Sequence, residues 1–227
     1  LLLTSCAMTP QYNANGESYV AFGQHQLLSL EQAKLLPREE RLKRIKADMA
    51  KIPARVNPVS PIYDRVNYSI LSVFKNQKAL LGEYVVLVDE HKDVMSFINA
   101  HKGKSEQEIM KQAQLYDAGI TLEKEKIAVK LMRYRRATEK IQAENLKLAG
   151  ELFIQAAALT LMLKDNFKQM MEQESITLLL SLGKFNRALE RMNARLHMSK
   201  VANEFITDEQ AILDITKELQ KILDNKL

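Results

Sequence analysis

The chain has 227 residues, enough for one large domain or two small ones with a substantial core. Seven glycines, five prolines, no tryptophan and an abundance of Leu, Ala, Lys, Glu, Gln and Met describe an all-α protein. A formal net charge of +5 selects no partner by itself, a single cysteine excludes an internal disulfide, and no uninterrupted run of about 18 apolar residues writes a transmembrane helix into the sequence.

The only cysteine, Cys6, follows Leu3-Thr4-Ser5 and precedes a stretch rich in Gly, Asn, Gln, Ser and Pro that runs to about Ser29. A large aliphatic residue, two small ones and then cysteine resemble the lipobox of bacterial lipoprotein signal peptides, with Leu1 and Leu2 as the end of its apolar region. This resemblance covers only Leu1 to about Met8 and concerns no part of the helical body. It implies that residues 1–5 are a signal-peptide remnant and that Cys6 takes diacylglycerol on its thiol and an acyl chain on the new amine. Two or three acyl chains, at about 0.8 kcal/mol per buried methylene, hold a soluble domain on a membrane where one chain is marginal. In Gram-negative lipoproteins an aspartate after the cysteine often signals inner-membrane retention. Here Ala7 stands in that place, which implies the periplasmic face of the outer membrane. Residues 6–28 then read as a lipid-anchor cysteine and a flexible tether, with Tyr19, Val20 and Phe22 as occasional anchors, and 29–227 as a single helical domain.

Ser29 is placed to cap a helix over LEQAKLL, and Pro37 reads as the first position of a second helix, PREERLKRIKADMAKI. Pro53, Pro58 and Pro61 form a stiff connection. From Ser60 to a stop at Gly103 the pattern predicts one long helix. Its apolar face runs Val66, Ile70, Val73, Gln77, Leu80, Tyr84, Leu87, His91, Val94 and Ile98, widened by Phe74, Leu81, Val88 and Met95. Helical pattern resumes near Ser105 and continues with weak interruptions to about Leu182, with Gly119 and Gly150 as tolerable interior glycines or kinks. Ile127, Leu131, Tyr134, Thr138, Ile141, Asn145, Leu148 and Leu152 keep the heptad spacing, after which Ala156, Leu159, Leu163, Phe167 and Met170 predict a drift around the helix. A break is expected at SLGK, 181–184, then an amphipathic segment over 185–205 and a last helix capped by Thr207 or Asp208. Together these predict an elongated antiparallel all-α bundle with two long helices and coiled-coil-like packing.

The chemistry-bearing residues form no catalytic constellation, and neither an enzyme activity nor a cofactor is expected. His25, His91, His101 and His197 have no metal-ligand spacing. Gln77 and His91 on the apolar stripe suggest a register-fixing polar pair or ordinary satisfied core groups. Met162, Met170, Met171, Met192 and Met198 beside His197 could offer a soft copper site, but such methionines more commonly fill gaps in a helical core, and no metal is expected.

Two basic stretches are candidate anionic-partner surfaces: Arg38, Arg41, Lys43, Arg44, Lys46 and Lys51, and Lys130, Arg133, Arg135, Arg136 and Lys140. No nucleic-acid motif accompanies them, so nucleic acid is not expected. Anionic lipid headgroups or an acidic protein would fit them, as would a plain solvated face. The segment LAGELFIQAAALTLML, 148–163, is apolar on nearly every side. A central helix enclosed by neighbours explains it most simply, and a membrane-inserting segment is the alternative. The sequence therefore predicts a non-enzymatic envelope scaffold or adaptor, held at a membrane through Cys6 and meeting an envelope partner or a second copy of itself.

Overall fold

The computed structural model describes residues 11–12, 18–19, 27–101, 104–171 and 176–210. They form an all-α helical bundle, as the composition predicts. The helices are α1 (Leu30–Leu35), α2 (Arg38–Lys51), α3 (Pro61–Glu90), α4 (Lys92–Ala100), α5 (Glu106–Asp117), α6 (Ile127–Met171) and α7 (Ile176–Gln210). Within the stretch read as a tether, Gln11–Tyr12 and Ser18–Tyr19 pair as a two-residue antiparallel ladder. Cys6, Gly103 and the helix expected beyond residue 210 lie outside the described residues.

Contacts group the chain into two compact units, Leu1–Lys78 with Leu148–Ala202 and Ala79–Lys147 with Asn203–Leu227. The three long helices α3, α6 and α7 supply residues to both.

In the first unit, Ser29 caps α1 through a reciprocal box with Gln32, which satisfies two backbone N–H groups that a helix start leaves open. Pro37 sits at the cap position of α2, one residue earlier than expected, and Pro61 opens α3. Asp64 in the first turn of α3 accepts the Val59 N–H at 2.8 Å, which fixes the proline-rich connection against the helix. Ile70 of α3, Leu159 and Met162 of α6 and Met192 of α7 form the core, with Tyr63, Val66, Leu163, Leu189 and Leu196 packed around it. Two of the methionines weighed as copper ligands are thus packing residues.

In the second unit, the α3 stripe is buried at Leu80, Tyr84 and Leu87, and α4 continues it at Val94 and Ile98. The single helix expected over this stretch is interrupted at His91, where the backbone leaves the helical region (φ −120°, ψ 37°) and the ring meets Tyr134 edge-on at 5.4 Å. Gln77, of the first unit, is buried, and His91 is half-buried. Asn145 and Asn203 exchange amide hydrogen bonds. The Asn145 amide donates to the Asn203 carbonyl oxygen at 3.1 Å, and that of Asn203 donates to the Asn145 carbonyl oxygen at 2.7 Å. Both are buried, and the exchange meets the requirement that buried polar groups find partners.

Three other expectations change. The helical pattern expected from Ser105 to about Leu182 with only weak interruptions has a full one: it stops at Asp117 and restarts at Ile127, where the Asp117 carboxylate accepts the Ile127 N–H at 2.7 Å and caps the new start. The break expected at 181–184 does not occur. Helix α7 runs through it, since one interior glycine costs only about 1 kcal/mol and strong helix formers surround it. Thr207 and Asp208, expected as caps, lie inside α7. The Thr207 hydroxyl donates back to the Asn203 carbonyl at 3.0 Å and accepts from Asn145.

Candidate functional site

The first unit holds the feature that the packing leaves unexplained. Of the predicted drift, Leu159 and Leu163 face the core while Ala156 is exposed, and the side chains of Phe167 and Met170 lie outside the described residues. Leu148, Leu152, Leu159 and Met162 continue the four-and-three spacing inward, with Gln155 half-buried on the same line. The apolar residues between them face out. Phe153 is 77% exposed, Ile154 61% and Leu161 60%, and Gly150, Ala156, Ala157 and Thr160 are exposed with them. The enclosed central helix expected for 148–163 is therefore overturned, because the helix is covered on one face only. Within Ile127–Lys164 an 18-residue window is long and apolar enough to cross a membrane, yet only 22% of it is buried.

This outer stripe carries no charged side chain between Gly150 and Leu161; Glu151 lies half-buried to one side. The Thr160 hydroxyl donates to the Ala156 carbonyl at 2.9 Å, so it asks nothing of water. A side chain at Gly150 would meet only open space. A second apolar surface could thus approach closely without stranding a polar group.

The predicted basic positions behave differently. Arg41 is buried, Arg38 is half-buried, and Lys43, Arg44 and Lys46 are exposed. Arg44 and Lys51 turn to the buried Asp48 at 3.0 and 2.7 Å, and the Leu28 N–H donates to the same carboxylate at 2.9 Å. Burial alone would raise the Asp48 pKa, but Lys51, the Leu28 N–H and Arg44 together outweigh it and hold the carboxyl below its ordinary value. Lys43 and Arg44 line a cavity of about 550 Å³ that also contains Glu40. In the second unit Lys130 bridges Asp93 at 2.7 Å and Glu125 at 3.0 Å, and these bonds, Asp93 first, raise its pKa. Arg135 pairs with Glu139 at 3.2 Å, while Arg133 and Arg136 are exposed. Arg44, Lys51, Lys130 and Arg135 are therefore engaged with the protein's own carboxylates.

A buried charge escaped the sequence reading. Arg195 of α7 is fully buried and donates to the Asn67 side-chain oxygen and to the carbonyls of Pro53 at 2.8 Å and Arg55 at 2.7 Å. No carboxylate faces it among these bonds. Burial, and then the neighbouring Arg191 charge, pushes its pKa down to about 10, so it stays cationic at neutral pH. Two residues on in α7 and in the same unit, the His197 imidazole Nε2 lies 2.8 Å from the Leu28 carbonyl oxygen. The signal was present in the spacing: Ala188, Met192, Arg195, Ser199 and Ala202 make an inward stripe with an arginine in it.

Among the described residues no group of three or more His, Cys, Asp or Glu side chains is placed to hold a metal. Comparison with known proteins finds no family model, no curated protein and no solved structure that matches the chain.

Proposed function

We propose that this protein is a non-enzymatic scaffold or adaptor of the bacterial envelope, lipid-anchored at Cys6 to the periplasmic face of the outer membrane, that engages a partner through the outer stripe of α6. The observation that carries the docking half is the exposure of Phe153, Ile154 and Leu161 on a stripe with no charge in it. Single exposed apolar residues are commonplace, whereas a contiguous apolar stripe over several helical turns marks a surface that meets something apolar. The anchoring half rests on the resemblance of Leu3-Thr4-Ser5-Cys6 to a lipobox.

The test uses the precursor expressed in a bacterial host beside two variants, Cys6→Ser and the triple Phe153→Ser/Ile154→Ser/Leu161→Ser. The wild type is expected to gain the mass of acyl chains and to sediment with the outer membrane, while Cys6→Ser stays soluble. The triple variant is expected to remain anchored and to lose cross-links to an envelope protein. An unmodified, soluble wild type would remove the anchor from the proposal.

The same stripe favours a second reading, in which 148–163 enters a bilayer. Leakage of dye from vesicles by the wild type, abolished in the triple variant, is the outcome this reading requires. Absence of leakage at micromolar protein leaves the docking reading in place.

A further inference from the structure

We propose that the outer stripe of α6 is covered by the same stripe of a second copy of this chain, laid antiparallel across it about a twofold axis between Gln155 and Ala156. This rests on the docking half of the function proposed for the stripe and names its occupant. The stripe runs Gly150, Ile154, Ala157 and Leu161, in steps of four, three and four, with Phe153 and Thr160 along one edge. Its large and small members stand in reversed order about the midpoint. Turning one copy around that point sets Leu161 opposite Gly150 and Ile154 opposite Ala157, and each pairing occurs twice. A large side chain then fills the space over a small one at every level, as closely packed helices require. Gly150 leaves that space open, since an added Cβ meets no atom of its own chain within 4 Å. A parallel copy would set each residue against itself, with a gap at Gly150 and crowding at Phe153 and Ile154.

Charge and area agree with this register. Between 148 and 164, α6 carries Glu151, half-buried beside the stripe, and Lys164, exposed at its end. The antiparallel pairing brings Lys164 of each copy to within about one turn, roughly 6 Å along the axis, of Glu151 of the other, whereas a parallel pairing keeps them about 20 Å apart. Phe153, Ile154 and Leu161 are 77%, 61% and 60% exposed. With Gly150, Ala156, Ala157 and Thr160 they offer on the order of 500 Å² per copy. The pair thus buries about 1,000 Å², the least that a specific interface needs. Pairing is therefore expected at tens of micromolar and is absent below about one micromolar. An isologous interface must be complementary to itself, and the reversed order of large and small residues supplies that property. Neither a bilayer nor an unrelated protein would call for it.

The full chain carrying Cys6→Ser is followed by sedimentation equilibrium from about 1 to about 100 µM, beside Gly150→Leu and the exchange Gly150→Leu/Leu161→Ala in the same background. Gly150→Leu adds apolar surface and a stronger helix former, so it would strengthen a general apolar contact, but in this register it sets leucine against leucine. The expected result is reversible pairing that Gly150→Leu weakens at least tenfold and the exchange restores to within a few-fold. Gly150→Cys and Leu161→Cys chains, mixed and mildly oxidised, are expected to give a disulfide-linked dimer that neither gives alone. A chain that stays monomeric throughout, a Gly150→Leu variant that pairs as well as the parent, or a cysteine chain that links to itself overturns the proposal. The cysteine arm decides the register if Gly150→Leu does not fold. Failure here is separable from failure of the docking surface. A monomeric chain that still cross-links in the cell to a different envelope protein, and loses those cross-links in Phe153→Ser/Ile154→Ser/Leu161→Ser, keeps the surface and loses the second copy. A chain with neither pairing nor cross-links loses both.

Discussion

Two segments of the first unit, 148–163 of α6 and 188–202 of α7, invert the usual relation between sequence and burial. The α6 segment has one charged residue in sixteen positions, yet Phe153, Ile154 and Leu161 stand in solvent. The α7 segment includes Glu190, Arg191, Arg195 and Lys200, yet Met192, Ala194, Arg195, Met198, Ser199, Val201 and Ala202 are buried. Burial follows how many neighbours an element has, and hydrophobicity only sets what it costs to be on either side. The α7 segment meets that cost by giving Arg195 three oxygen acceptors. The α6 segment leaves it unmet in the isolated chain, which is why the stripe reads as half of an interface.

The contrast is open to direct attack by mutation. The largest effect is expected at Arg195→Met, which leaves two carbonyls and the Asn67 amide oxygen without their donor. A loss of about 4 kcal/mol in urea unfolding, with unchanged denaturant slope, is the expected result. Leu159→Ala, on the covered side of α6, should cost about 3 kcal/mol through the cavity it opens. Asp48→Asn should cost about 2 kcal/mol by weakening the links to Arg44 and Lys51.

Asp48 also predicts a pH dependence. Its folded pKa lies below the ordinary value of 3.8, so its contribution is fully present above that value and is lost as pH falls through the folded pKa. Unfolding followed from pH 7 to pH 2 should therefore show an acid loss in the wild type that is smaller in Asp48→Asn. On the bare side of α6, Gly150→Ala should stabilise the chain by about 1 kcal/mol, because the added methyl meets nothing and helix propensity rises. Phe153→Ala should change stability by no more than about 0.5 kcal/mol. A cost near that of Leu159→Ala would mean that this ring is covered in solution and would erase the contrast between the two faces.

Much of the helical framework was legible from residue spacing. Every position from Ile127 to Leu152 read as inward is buried, and the α3 stripe is buried except at the half-exposed Val66 and His91. What spacing could not separate was Gly119 from Gly183, which look alike as helix interruptions. The chain turns near the first because Asp117 reaches ten residues on to cap Ile127, and it passes through the second. Nor could periodicity tell an apolar face covered by the chain from one left bare, so 148–163 was read as enclosed. The basic stretches drew notice, although several of their members are neutralised by Asp48, Asp93, Glu125 and Glu139.

The bonds from α7 to the chain around α2 bear on how the protein is made. Pro53 and Arg55 precede Arg195 by 142 and 140 residues, and Leu28 precedes His197 by 169. At a ribosomal rate of about 5 to 20 residues per second, the amino-terminal segment waits on the order of ten seconds or more for the strap that fastens it. Until Leu148 is made the first unit has only one of its two chain segments, and until Met192 is made it cannot complete its core. Nascent chains stalled before Arg195 should consequently be open to protease throughout residues 28–55, and released full-length chains should not.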